Sequence, residues 1–260
     1  MQPNIHSTPL NAFDLNLLPA DARQTDSDAF KLAVMSHYAK LHADKGETTL
    51  VIVENEDITV FSWEGTVEPM DYVLELLNSG RFIDAVRLLR SITFSQPDNT
   101  PAFFNLGIAN LESGNFDEAV INLEKAVELD PSLSDAWFGI GMGKLKQEDT
   151  AAAIDALIMA VKTDPENSYA QRNLAGLLNK EGRFEESLSH YLAVSEKLPN
   201  DPQVIFGVAQ CLEIIEGEGN LEKADVLYAK LIKDFPALRA TEFAGEARAR
   251  IAEKLGKKSS

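Results

Sequence analysis

Residues 100–133 read TPAFFNLGIANLESGNFDEAVINLEKAVELDPSL, and this stretch decides the fold. Leu106 and Gly107 sit in its first half, Gly114 and Phe116 at its centre, Ala119 in its second half and Pro131 at its end. The same markers recur on either side. Pro97, Pro131, Pro165 and Pro199 follow one another at intervals of 34 residues, and Pro236 comes 37 after the last. Ala85, Ala119, Ala153, Ser187 and Ala224 each lie twelve residues before one of these prolines. Phe82, Phe116, Thr150 and Phe184 stand fifteen residues before the first four, and Leu221 before the fifth. A period of this length specifies one helix pair per repeat, with small residues where two helices approach and a proline where the second helix stops.

The pattern resembles the tetratricopeptide repeat family, most clearly in Ala102-Phe103-Phe104-Asn105-Leu106-Gly107 and Gly114-Asn115-Phe116-Asp117-Glu118-Ala119. The resemblance covers about residues 66–238 and implies a mainly α tetratricopeptide-type solenoid. Five helix pairs are expected, at 66–99, 100–133, 134–167, 168–201 and 202–238, stacked into a right-handed curve. Two departures are local. Glu148 replaces the glycine found at Gly80, Gly114 and Gly182, so the internal turn of the third repeat is expected to be less typical. The three extra residues of the fifth repeat fall in Glu216-Gly217-Glu218-Gly219.

Residues 239–260 read as a capping helix and tail. Phe243, Ala247, Ile251 and Leu255 form one apolar stripe, a lid for the exposed end of the last repeat, and the tail from Gly256 to Ser260 is expected to fray. Residues 1–65 read as a small α/β segment resembling no known family. A helix at about 27–44 shares Phe30, Val34, Tyr38 and Leu41 on one face, capped from Asp26-Ser27-Asp28. A hairpin follows at about 48–63 around Glu54-Asn55-Glu56-Asp57, and strand is expected nowhere else. Such a hairpin needs the helix, the first repeat or another subunit to cover a face.

The charge balance narrows the partners. With 24 Lys and Arg against 41 Asp and Glu, the net charge of −17 argues against nucleic acid and anionic membrane. No run approaches the roughly 18 apolar residues of a membrane span. Cys211 is the sole cysteine, which fits a reducing, cytoplasmic setting. His6, His37, His42 and His190 lack metal-ligand spacing, no phosphate loop occurs, and Gly139-Ile140-Gly141-Met142-Gly143 lies inside a repeat helix. No catalytic residue, metal or cofactor is expected. An enzyme centred on residues 1–65 is the remotest alternative.

The working surface is expected on the first helix of each repeat. The register turns Met70, Leu74 and Leu77 inward in the first repeat, Phe104, Ile108 and Leu111 in the second, and Phe138, Met142 and Leu145 in the third. The fourth offers Arg172, Gly176 and Asn179, the fifth Phe206, Gln210 and Glu213. A water-filled wall would be mixed or polar, so nine apolar positions call for a partner. Burying such side chains is worth at most about 1.5–3 kcal/mol each, against an association cost of roughly 4–15 kcal/mol. Leu77, Leu111 and Leu145 could alternatively pack within their helix pairs. Family members that clamp the C-terminal carboxylate of heat-shock chaperones use lysine, arginine and asparagine at places held here by Met70, Leu74, Asn105, Asp135 and Gly139, so that clamp is not expected. The groove chemistry is similar to that of secretion-system chaperones, which cradle apolar segments. The reading is therefore a protein-interaction module, an adaptor, scaffold or chaperone, holding an apolar peptide or amphipathic helix. The alternative is a self-covered or homo-oligomeric scaffold with the N-terminal segment in the groove.

Overall fold

The computed structural model describes residues 2–215 and 217–258. Glu216 of the fifth-repeat insertion and Ser259-Ser260 of the tail lie outside the described residues. By compactness the chain divides into two units, Met1–Pro131 and Ser132–Ser260.

The first unit opens with a strand, β1 (Asn4–Pro9), and three short 3-10 turns at Leu10–Ala12, Leu15–Leu17 and Ala20–Ala22. Helix α1 (Asp28–Ala43) follows, its first turn capped by the Ser27 hydroxyl, which accepts from the Phe30 amide at 3.1 Å. Strands β2 (Glu47–Glu54) and β3 (Asp57–Glu64) are joined by Asn55 and Glu56, both at positive φ (50° and 63°). Two such residues in a row make the tight hairpin turn whose twist matches the strands.

The sheet has the order β1-β3-β2 and is antiparallel throughout. The strand at Asn4–Pro9 corrects the expectation that strand is confined to the hairpin. Ile5 is its one aliphatic side chain before the closing proline, and most of the strand is exposed, so no alternation of apolar and polar residues announces it. Its pairing with β3 is a backbone matter that a side-chain pattern does not record.

Strands turn successive side chains to opposite faces, and here both faces are covered. Val51, Ile58 and Val60 face Phe13, Leu18, Phe30 and Val34, the last two from α1. Leu50, Ile52, Phe61 and Trp63 join the core of the first repeats. Burial on both sides explains why β2 and β3 read as nearly continuous apolar runs. The helices of this unit are α2 (Pro69–Asn78), α3 (Phe82–Ser95), α4 (Thr100–Glu112) and α5 (Phe116–Leu129). Tyr72, Val73 and Leu76 of α2 and Leu88, Leu89 and Ile92 of α3 complete the core that receives Trp63. Ser91 donates to the Val51 carbonyl and Arg87 to Glu54, tying α3 to β2. The sheet is thus the lid of the first repeat.

The second unit holds α6 (Ser134–Lys146), α7 (Thr150–Thr163), α8 (Ser168–Lys180), α9 (Phe184–Ser195), α10 (Pro202–Ile214), α11 (Asn220–Asp234) and α12 (Ala240–Lys258). Asp149, Asn167 and Asp201 cap α7, α8 and α10 with their side-chain oxygens. The small-residue rule has a direct steric cause. A Cβ on Gly107 would sit 2.4 Å from Leu123 Cγ, and one on Gly141 2.9 Å from Leu157 Cγ, so each glycine lets two helices of a pair close together.

Two expectations are corrected here. The turn of the third repeat is typical: Glu148 adopts φ 65°, beside 73° for Gly80, 79° for Gly114 and 76° for Gly182. Its backbone keeps the same hydrogen bonds, Glu148 to Leu145 and Asp149 to Lys144, as Gly114 to Leu111 and Asn115 to Asn110. Packing on either side imposes the left-handed conformation on a residue that disfavours it. In α12 the buried stripe is Ala244, Ala247 and Ile251, while Phe243 is 49% exposed and stacks against Arg239. A methyl group fits the narrow contact with the fifth repeat, and the ring is displaced to the edge. The helix runs on to Lys258.

Candidate protein-binding faces

Each first helix divides its side chains by size of contact. On α2, Tyr72, Val73 and Leu76 are buried, which leaves Leu74 41% exposed. Leu77 packs on the core, and Met70 turns half-buried into a cleft of about 330 Å³ shared with Leu32 and Met35 of α1. On α4, Ala102, Leu106 and Gly107 are buried, whereas Phe104, Ile108 and Leu111 remain partly exposed. Asn105 donates to the Pro101 carbonyl of its own helix. The first unit therefore leaves Leu74, Phe104 and Ile108 partly in reach of solvent, with Met70 in the cleft beside α1.

In the second unit, Phe138 and Leu145 of α6 pack partly against the core formed by α7 and α8, and Met142 is half-buried. The Phe138 ring lies 6.5 Å from that of Tyr169 on α8, centroid to centroid. Arg172 stacks over Tyr169 at 5.5 Å and forms an ion pair with Asp201, Nη1 to Oδ2 at 2.7 Å. Its Nε is buried without a hydrogen-bond partner. Phe138, Tyr169 and the flat guanidinium thus form a continuous row whose positive charge is already balanced by Asp201.

Tyr169 is a surface residue that the sequence register passes over, although it is 62% exposed. It sits one position after the helix start, outside the three places used for the other repeats. Two residues of the extended register point elsewhere. Asn179 is buried and donates to Cys211 Sγ at 3.4 Å. Glu213 accepts from Tyr228 Oη at 3.1 Å and from Arg250 Nε at 3.1 Å, fastening α12 to the fifth repeat. Burial and the Glu213 carboxylate both push the Tyr228 phenol up, so it stays a donor.

Cys211 is fully buried between Ser187 Oγ (3.5 Å) and the Asn179 amide, and burial raises its thiol pKa. A thiol so held is protonated at neutral pH and a poor nucleophile. His190 meets the Gln171 side chain, and its pKa is lowered by burial. Among the described residues no helix is long and apolar enough to cross a membrane.

Helix pairs of this period, closed by small residues and proline, define a tetratricopeptide repeat protein. Sequence profiles of the tetratricopeptide repeat match residues 101–133 and 144–210, so these stretches carry tetratricopeptide repeats. Among solved structures, YrrB, described as a tetratricopeptide protein with an unusual peptide-binding site, is 20% identical. The match covers 68% of this chain and 89% of that one, with a TM-score of 0.58. PilF of Pseudomonas aeruginosa is 17% identical over 67% of this chain and 79% of its own, with a TM-score of 0.61. MamA is 22% identical over 63% and 88%, with a TM-score of 0.55. Identities this low establish the fold alone. No curated protein matches at a significant level.

Proposed function

We propose that the chain is an adaptor or chaperone whose first-helix faces hold an apolar peptide or amphipathic helix of another protein. The observation that carries the reading is the partial exposure of large apolar side chains on the first helices. Leu74, Phe104 and Ile108 in the first unit, and Phe138, Met142 and Tyr169 in the second, stay in reach of solvent. Leu145 and Arg172 border the second face, Leu145 from the core side and Arg172 as a charge-balanced stacking plane. Peptide binding by YrrB is consistent with such a role on the same fold. The reading assigns no catalysis and no cofactor, and it places the protein in the cytoplasm, where a lone protonated cysteine is stable.

The self-covered alternative has less support, because α1 directs Phe30 and Val34 at the sheet and meets the candidate faces at Met70, through Leu32 and Met35. The test is the pair Phe104→Asp and Phe138→Asp, made together. Both side chains are already partly hydrated, so helical content by circular dichroism stays near native. Retention of the partner falls about a hundredfold or more, since a carboxylate pressed on an apolar ligand costs several kcal/mol. Full retention, with an unchanged oligomeric state, sinks the reading.

A further inference from the structure

The second unit has another apolar surface, on its second helices, that the first-helix reading does not use. Leu192 of α9 and Val226 of α11 are 51% and 66% exposed where a solvated helix face would be polar. Between them lies a trough of about 650 Å³, floored by Val208 and Leu212 of α10 and walled by Leu198 and Leu227. Its polar border is short. Lys223 and Lys230 stand on the α11 side with Glu222, and the Lys230 ammonium donates to the Pro199 carbonyl at the end of the trough.

We infer that this trough is a second docking site and that its occupant is an amphipathic helix of another protein, with carboxylates beside an aliphatic face. Charge selects that occupant. The chain carries 41 acidic against 24 basic residues, so a rim with two lysines to one glutamate is a local reversal of sign. An acidic helix meets repulsion over most of the surface and attraction here. Length agrees as well. From Glu222 to Lys230 the trough follows nine residues of α11, eight steps or about 12 Å at 1.5 Å per residue, which matches anchors at i, i+3/i+4 and i+7 of a docked helix. A second copy of this chain would bring its own excess of negative charge to the contact, which makes it the lesser candidate.

The probe is a fluorescein-labelled synthetic helix of about 18 residues with leucines on one face and glutamates flanking them, and a twin with lysines in place of the glutamates. Fluorescence anisotropy with the full chain is expected to give saturable binding of the glutamate helix and weaker binding of its twin. Leu192→Asp with Val226→Asp, both at sites at least half exposed, should lower that affinity at least tenfold. Lys223→Glu with Lys230→Glu should weaken the glutamate helix about tenfold and strengthen the lysine twin, a reversal that loss of fold cannot mimic. Phe104→Asp with Phe138→Asp should leave unchanged the part of the binding that Leu192→Asp with Val226→Asp removes, which separates this site from the first-helix faces. The inference is overturned by equal affinity for the twins, by absence of saturable binding, or by loss through the phenylalanine variants instead. It is also overturned if sedimentation shows a dimer that Leu192→Asp with Val226→Asp dissociates, since the occupant is then the chain itself.

Discussion

The two units end in different lids. In the first, a three-stranded sheet lays Leu50, Ile52, Phe61 and Trp63 on α2 and α3 and is itself covered by α1 on the opposite face. In the second, α12 alone closes the array through Ala244, Ala247 and Ile251 and the ion pairs of Arg248 with Asp225 and Arg250 with Glu213, the latter carboxylate held in turn by the Tyr228 hydroxyl of α11. A repeat stack needs only that its last apolar face be taken out of water. A sheet does so with large side chains and long-range pairing; a helix does so with small side chains and needs polar fastenings to hold its angle.

The comparison breaks hardest at Trp63. The indole is buried in a core that joins the sheet to the first repeat, so Trp63→Ala should cost about 3–5 kcal/mol. Hydrogen exchange should then rise together in β2, β3, α2 and α3, while α11 and α12 keep their protection. If α2 and α3 remain protected, the sheet is an appendage and not a lid. A smaller effect is expected at the other end. Glu213→Ala leaves the buried Tyr228 hydroxyl and Arg250 without their acceptor, a loss of about 1–3 kcal/mol that should appear as faster exchange confined to α12 and the end of α11. Equal exchange in mutant and parent would mean that apolar contact alone holds the helix. Smallest is the turn of the third repeat. Glu148→Gly removes a left-handed residue with a side chain and should raise stability by about 0.5–1 kcal/mol. A loss of stability would show that the Glu148 side chain contributes more than its backbone costs.

The repeats were legible because each marker has a steric duty that recurs every 34 residues: Gly107 against Leu123, Gly141 against Leu157, a proline beyond each second helix. What stayed illegible was decided by contacts with no period. Strand β1 forms on backbone pairing with β3, and its side chains are mostly in water. Phe243 and Ala244 are neighbours that a four-residue stripe cannot tell apart, and the choice between them rests on how closely α12 approaches α11. The candidate faces were half legible. Phe104 and Phe138 follow from register alone, but Tyr169 enters through its ring contact with Phe138, and Asn179 leaves through a bond to Cys211 on the next repeat.

The central claim is that a partner covers the first-helix faces. Hydroxyl-radical footprinting of the protein with its captured partner, read at single side chains, tests it most directly. The account predicts that Phe104, Phe138, Met142 and Tyr169 lose reactivity on binding while exposed residues such as Ile83 and Ile121 on second helices of the first unit do not. Protection confined to second-helix residues, with Phe104 and Phe138 as reactive as in the free protein, would contradict it.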